Sequence, residues 1–277
     1  MSRSRAGRHP YAYVILVLAA ILAGFPVVYM VSSSLKPLSA IVSGLATLLP
    51  KHPSLASYAT IFQHYPILSY ITNSLWAAGA STLIAVVAST FAGYGFSRFQ
   101  FRGKSTMLLF VLATQMFPSV MLFVPYYKLL GLYGLSNSLV GLVLVYTAAV
   151  IPFCSWMMYG FFNGVPRELD EAASIDGCGR VVTFVSVVAP LTLPGVISTT
   201  IYAFVTGWNE YMFAALFITS DSKKTLSVAI GQMAGFDSVR WNELMAASVV
   251  SSLPLLVVFL FLQRYFISGM TQGSVKG

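Results

Sequence analysis

Uncharged stretches about as long as a bilayer is thick alternate along this chain with short polar segments. Residues 11–31, 71–97, 105–127 and 138–163 contain no Asp, Glu, Lys or Arg. Residues 244–263 are also uncharged, and residues 181–218 carry a single charge, Glu210. A helix needs roughly 20 apolar residues to cross a hydrocarbon core of about 30 Å. The pattern therefore predicts an all-α membrane protein with six transmembrane helices. The third run is interrupted by Gln115 and Pro118. The fifth is longer than one crossing, and its surplus, around Pro190 and Pro194, is expected to extend into the cytoplasm. Between the runs lie a Pro-punctuated segment at 36–69, a turn with Gly131 and Gly134, a polar loop at 219–242 and a tail at 268–277. The expected organisation is an N-terminal segment at 1–10, a span domain at 11–267 and that tail.

Composition agrees. The chain is 57% hydrophobic and 9% charged, against about 25% charged in soluble domains. The net charge of +8 could suggest nucleic acid. The basic residues, however, are scattered through short loops and read as topology signals. With both termini inside, the cytoplasmic face holds Arg3, Arg5, Arg8, Arg98, Arg102, Lys104, Arg167, Arg180, Arg264 and Lys276. The other face holds Lys36, Lys51, Lys128, Lys223, Lys224 and Arg240. The excess favours N-in, C-in. Three arginines before the first apolar run resemble the start of a signal peptide. That run is long enough to span, and no small-x-small cleavage site follows it, so it reads as a retained first helix. Cys154 and Cys178 lie in unlike surroundings, and His9, His52 and His64 share no ligand spacing, so neither a disulfide nor a metal site is expected.

The polar segment after the fourth run is unusual. It holds Glu168, Asp170, Glu171 and Asp176, half of the chain's 8 acidic residues. Pro166 suits a first helical turn, the acidic residues favour the positive end of the helix dipole, and Gly177 and Gly179 supply a stop. A helix of about 12 residues is expected, roughly 18 Å long. Ala172 and Ala173 give it so little bulk that another protein can approach closely. It is a poor core element and a plausible docking peg.

Little else suggests chemistry. Gly103-Lys104-Ser105 resembles the end of a phosphate-binding loop, but Arg98 stands where that loop needs its first glycine. No nucleophile, acid–base or metal cluster falls on an aqueous segment, so an enzyme is not expected. Trp208-Asn209-Glu210-Tyr211 is different. A charge at the bilayer centre costs at least about 2.5–3.5 kcal/mol and tends to face a polar cavity. An amide, a carboxylate, an indole and a phenol suit a neutral polyhydroxylated solute on a translocation path. The same group could instead lock helices together or snorkel. Gln115 and Asn73 are weaker path candidates that could equally be interhelical hydrogen bonders.

The spacing Glu171-Ala172-Ala173, then Gly177, then Val187-x-Ala189-Pro190, resembles the EAA loop of the membrane subunits of ABC importers. Val187 and Ala189 stand where that family usually has Ile and Leu. Three further stretches narrow the resemblance to the smaller permease subunit of the carbohydrate-uptake (maltose-type) importers. They are Ser32-Ser33-Ser34-Leu35-Lys36-Pro37, the Trp-Asn-Glu-Tyr group, and the ending Gly269-Met270-Thr271-Gln272-Gly273-Ser274-Val275-Lys276-Gly277, with Met270 for the usual Leu. The resemblance covers nearly the whole chain. It implies a type I ABC importer permease fold and a multi-pass protein of a bacterial or archaeal cytoplasmic membrane. It implies a coupling loop at 164–190, in which Glu168, Glu171, Ala172, Ala173, Asp176, Gly177 and Pro190 serve an ATPase. It implies a tail whose Gln272, Gly273 and Lys276 touch that ATPase, and a mobile loop tip of Gly231, Gln232, Met233 and Gly235 against an extracytoplasmic solute-binding protein. The implied assembly is this subunit, a second related permease, two ATPase chains and the binding protein, moving a sugar. ATP and Mg are bound by the partner ATPase, and this chain binds no cofactor. The alternative is a secondary transporter or channel for small polar solutes. That needs buried charges in several spans, and only Glu210 comes close.

Overall fold

A computed structural model describes residues 10–43, 48–235 and 238–272, with side chains as far as residue 261. Among them every regular element is helical. The helices are α1 (Pro10–Ser34), α2 (Leu38–Val42), α3 (Ala56–His64), α4 (Ile67–Arg98), α5 (Lys104–Ala113), α6 (Phe123–Leu132) and α7 (Leu139–Asn163). They continue with α8 (Glu168–Ile175), α9 (Arg180–Thr183), α10 (Ala189–Leu191), α11 (Leu193–Trp208), α12 (Met212–Phe217), α13 (Leu226–Ala234) and α14 (Trp241–Gln272). By length and apolarity four helices qualify as spans: Tyr11–Ser34, Ile67–Arg98, Leu139–Asn163 and Trp241–Phe261.

The other two predicted runs are bent. Lys104–Met116 and Ser119–Leu132 meet at 95°, and Arg180–Leu191 and Leu193–Trp208 meet at 72°. The first break falls at Phe117–Pro118. A proline has no N–H and pushes the residue before it out of the helical region, and Phe117 has ψ 126°. The second follows a π-helical turn at Phe184–Val188 and precedes Pro194. Counting each bent pair as one span gives up to six.

The contacts divide the chain into two units. The first comprises Met1–Tyr65 and Gln232–Ser252. Within it Tyr58 and Ser34 share a 2.8 Å hydrogen bond, Asn242 donates to Ser57 at 3.0 Å, and Arg240 pairs with the buried Glu243 at 2.9 Å. Ser32, Ser33, Ser34 and Lys36 are buried there.

The second unit comprises Pro66–Gly231 and Leu253–Gly277. It is built on α4, α7 and α11, which pack on one another, α4 against α7 most extensively. Small residues set the spacing. A Cβ on Gly93 of α4 would lie 2.6 Å from the Met158 Cβ of α7. One on Gly207 of α11 would lie 3.3 Å from the Ala78 Cα. Close backbone approach of this kind packs helices where lipid gives no hydrophobic drive between them. Ala85, Val150, Cys154 and Ala203 fill the middle of this trio. Met158, Phe162, Val165 and Val188 fill one end, and a cluster around Leu142, Tyr146, Phe213 and Phe217 fills the other.

The structure corrects three expectations. The acidic helix has 8 residues, not about 12, because Pro166 and Arg167 precede it rather than open it, and Asp176 and Gly177 close it rather than extend it. The loop tip of Gly231, Gln232 and Met233 is helical, inside α13, with Gly235 in the turn that follows. The expected tail is helical through Gln272, while Gly273 and Lys276 lie outside the described residues.

Candidate functional site

The linker between α7 and α9 presents α8. Its C-terminus closes as the sequence suggests. Gly177 adopts φ +83°, the left-handed region that a Cβ disfavours. From there Gly177 N–H donates to the Ser174 carbonyl at 3.1 Å and Cys178 N–H to the Ala173 carbonyl at 2.9 Å. This pair is a Schellman closure, which satisfies carbonyls the helix end leaves open. Ala173 faces inward at 7% exposure. Glu168, Glu171, Ala172, Asp176 and Gly177 are exposed, as is Pro190. Ile175 is 87% exposed, so the outward face of α8 joins carboxylates to an apolar tip.

What holds α8 in place was not foreseen. Arg98, the last residue of α4, has a side chain only 8% exposed. Its Nη1 donates to the Phe162 carbonyl at 3.0 Å and to Ser97 Oγ at 3.3 Å, and its Nη2 donates to the Val165 carbonyl at 3.0 Å. Its Nε stands 3.0 Å from Asp170 Oδ2, off the N–H axis, so this contact is a charge pair rather than a linear hydrogen bond. Arg167 Nη2 donates to the Ser97 carbonyl at 2.7 Å, and Ser97 Oγ donates to Asn163 Oδ1 at 2.8 Å. Arg180 lies over the Phe99 ring at 5.5 Å. Arg98, Phe99, Arg167, Asp170 and Arg180 line a cleft of about 340 Å³ with Tyr94, Glu171 and Cys178. In the sequence Arg98 reads as a topology signal. The available clue is that Asp170 lies in a short acidic helix that would need a cation to pack down.

The Trp-Asn-Glu-Tyr group lies in the break between α11 and α12. Trp208 is 3% exposed and stacks on Phe204 at 5.8 Å. Asn209 is exposed, and its amide donates to the Val205 carbonyl at 2.9 Å. The Glu210 carboxylate accepts the N–H of Phe213 at 2.9 Å and of Ala214 at 3.1 Å. It thus caps α12, a favourable place for an anion. The Glu210 carbonyl accepts Ser227 Oγ at 2.7 Å, which ties the break to α13. Tyr211 packs on α13 at Gly231. Gln115 donates to the Ala149 carbonyl of α7 at 3.1 Å. Asn73 donates to the Ser222 and Lys224 carbonyls, both at 2.9 Å. These two amides serve as hydrogen bonders between elements.

The segment leading into α13 is anchored by residues the sequence did not mark. Asn137, at φ +51°, accepts the N–H groups of Thr219 and Ser220 with its Oδ1 at 3.0 and 3.1 Å. Tyr70 Oη donates to Asp221 at 3.1 Å, and Lys224 Nζ lies 2.8 Å from the same carboxylate. The bond from Lys224, ahead of that from Tyr70, holds the Asp221 carboxyl below the ordinary carboxylate range. Ser74 Oγ accepts the N–H of Leu226 at 2.8 Å as α13 begins. Among the described residues no group of His, Cys, Asp or Glu is placed to hold a metal ion.

Residues 85–272 match the family described as binding-protein-dependent transport system inner membrane component. The chain is 32% identical over 267 residues to an inner membrane ABC transporter permease protein, YcjP, of Escherichia coli, covering 96% of this chain and 95% of that one. It is 34% identical over 266 residues to the trehalose/maltose transport system permease protein MalG of Thermococcus litoralis, covering 94% of each. It is 30% identical over 277 residues to the diacetylchitobiose uptake system permease protein DasC of Streptomyces coelicolor, covering both chains fully. In fold it is similar to a chain in the crystal structure of a bacterial ABC transporter involved in alginate import. The TM-score is 0.81 at 21% identity, over 96% of this chain and 99% of that one.

Proposed function

Because this chain belongs to the family of inner membrane components of binding-protein-dependent transport systems, we propose that it forms half of the translocation pathway of an ATP-driven sugar importer. It is a multi-pass protein of the cytoplasmic membrane and a permease rather than an enzyme; hydrolysis of ATP belongs to a partner subunit. In this reading both bent pairs are spans, which gives six crossings with both termini in the cytoplasm. A second related permease completes the pathway, two ATPase chains bind ATP and Mg²⁺, and an extracytoplasmic binding protein delivers the solute.

The observation that carries the reading is α8. It is a short helix whose outward face has Glu168, Glu171 and Ala172 exposed beside the bare tip of Ile175, and it is fixed to the ends of two long apolar helices. An exposed apolar tip ringed by carboxylates is suited to a groove in another protein. Closing of the ATPase pair on ATP moves α8, and α8 moves α4 and α7 with it. That swing exchanges inward and outward access to a cavity near α11. The residues proposed along that path are Trp208, Asn209, Glu210 and Tyr211, with Gln115 and Asn73 more peripheral. Gln272, Gly273 and Lys276 are proposed to touch the ATPase. Gly231, Gln232, Met233 and Gly235 belong to the segment that meets the binding protein, presented as a helix and the turn after it. The sugar class rests on the relatives, whose names specify trehalose/maltose and diacetylchitobiose.

The test is uptake by the complete transporter in proteoliposomes, with a panel of radiolabelled maltose, trehalose, diacetylchitobiose and an amino acid control. The expected result is accumulation of a sugar only with internal ATP and external binding protein. Uptake driven by an ion gradient without ATP would overturn the proposal.

A further inference from the structure

The Arg98–Asp170 pair is more than a local contact. We propose that Arg98 is a positioning residue that makes α8, the end of α4 and the end of α7 one mechanical body, so that a displacement of α8 reaches the spans undiminished. This rests on the coupling reading above.

The covalent path from α7 to α8 is the four-residue linker from Gly164 to Arg167, which includes a glycine and is followed at once by the helix. Pro166 and the buried Val165 restrain this linker toward α7, and the Arg98 guanidinium crosses it to reach α8. One edge takes the carbonyls of Phe162 and Val165 on either side of Gly164, and Nε faces Asp170 in the first turn of α8. The planar fork, rigid in its own plane, fixes distance and angle together. Lys would present one compact charge and could satisfy only part of this set. Arg167 repeats the arrangement from the other side, donating to the Ser97 carbonyl beside Arg98. A buried ion pair is weak evidence for stability, since desolvation offsets much of the attraction. Its value here is register, between α8 and the two helices with the most extensive contact in the molecule.

The inference is tested by the distance between spin labels at Ser174 on α8 and Phe101 beyond α4, both exposed, in a Cys178→Ser background. Measurements are made on the chain alone in nanodiscs and on the assembled transporter, before and after trapping with ATP, Mg²⁺ and vanadate. The wild-type chain is expected to give one narrow distribution in every state. Asp170→Asn and Arg98→Lys are each expected to lose it, Asp170→Glu to regain it, and Asp170→Asn to retain the ATPase at wild-type yield. A narrow distribution in both Asp170→Asn and Arg98→Lys would overturn the inference. So would loss of the ATPase from Asp170→Asn, since Asp170 would then be a docking residue itself. Should even the wild-type chain retain no ATPase, the proposed function fails. The distances in the chain alone still decide whether the clamp exists.

Discussion

The ring of Tyr211 occupies the space that a side chain at residue 231 would need. A Cβ on Gly231 would sit 3.1 Å from the Tyr211 Cζ and 3.2 Å from its Cδ2, with Cε2 closer still. The break after α11 and the helix α13 are therefore fitted to each other, and Ser227 adds a hydrogen bond to the Glu210 carbonyl one turn earlier. A segment expected to touch an external partner is packed against the residues expected to line the path.

Gly231→Ala should force Tyr211 aside. Overpacking costs about 1–3 kcal/mol, at the low end here because Tyr211 is 46% exposed and its ring can turn outward. Uptake should fall while membrane insertion and ATPase association stay normal, and Tyr211→Ala in the same chain should relieve the melting-temperature loss. A strictly additive double mutant would show that the contact carries no energy.

Glu210→Ala removes the acceptor for two N–H groups of α12, and loss of a cap costs about 1 kcal/mol. Glu210→Gln keeps one acceptor oxygen and should lie between Ala and wild type in melting temperature. If the carboxylate only capped α12, Gln and Ala would lower uptake in proportion to stability. A role on the path predicts that both lower uptake further while the ATPase is retained.

Much of this was legible. The apolar runs located every long helix, because a bilayer demands length and lack of charge, and both can be counted. Gly177 was legible as a helix stop because a left-handed residue favours glycine. The bends were half legible: prolines marked the third and fifth runs, but not whether tertiary packing would tolerate them, as it does Pro152 inside α7. Arg98 was legible only as a cation after an apolar run, which serves topology and packing alike; only the fold brings Asp170 beside it. Asn137 was invisible for the same reason: its partners are more than 80 residues away.

Gly177→Ala should cost about 1–2 kcal/mol through its left-handed backbone, with no clash, as a Cβ there meets nothing within 4 Å. Gly177→Pro also removes the N–H given to Ser174 and should abolish uptake. Ala should reduce uptake and Pro eliminate it, both at normal membrane yield. Unchanged uptake in Gly177→Pro would show that the end of α8 is not critical.

The Asp221 carboxyl has a folded pKa below its unfolded value, with the bond from Lys224 as the largest cause. Its contribution is therefore present above the unfolded value of about 3.9 and is lost as pH falls through the lower, folded one. The melting-temperature difference between wild type and Asp221→Asn should stay constant from pH 8 to about 5 and shrink below about 4. A difference that grew on acidification would have the wrong sign for this pair.

The central claim is that α8 faces the cytoplasm and seats in an ATPase. It is tested most directly by Ala172→Cys, at an exposed position, in a Cys154→Ser, Cys178→Ser background that leaves no other cysteine. The account predicts that a membrane-impermeant thiol reagent labels it in inside-out vesicles and not in right-side-out vesicles, and that a short bifunctional reagent joins it to the ATPase. Labelling from outside the cell, or free labelling with no cross-link in the complete assembly, would contradict it.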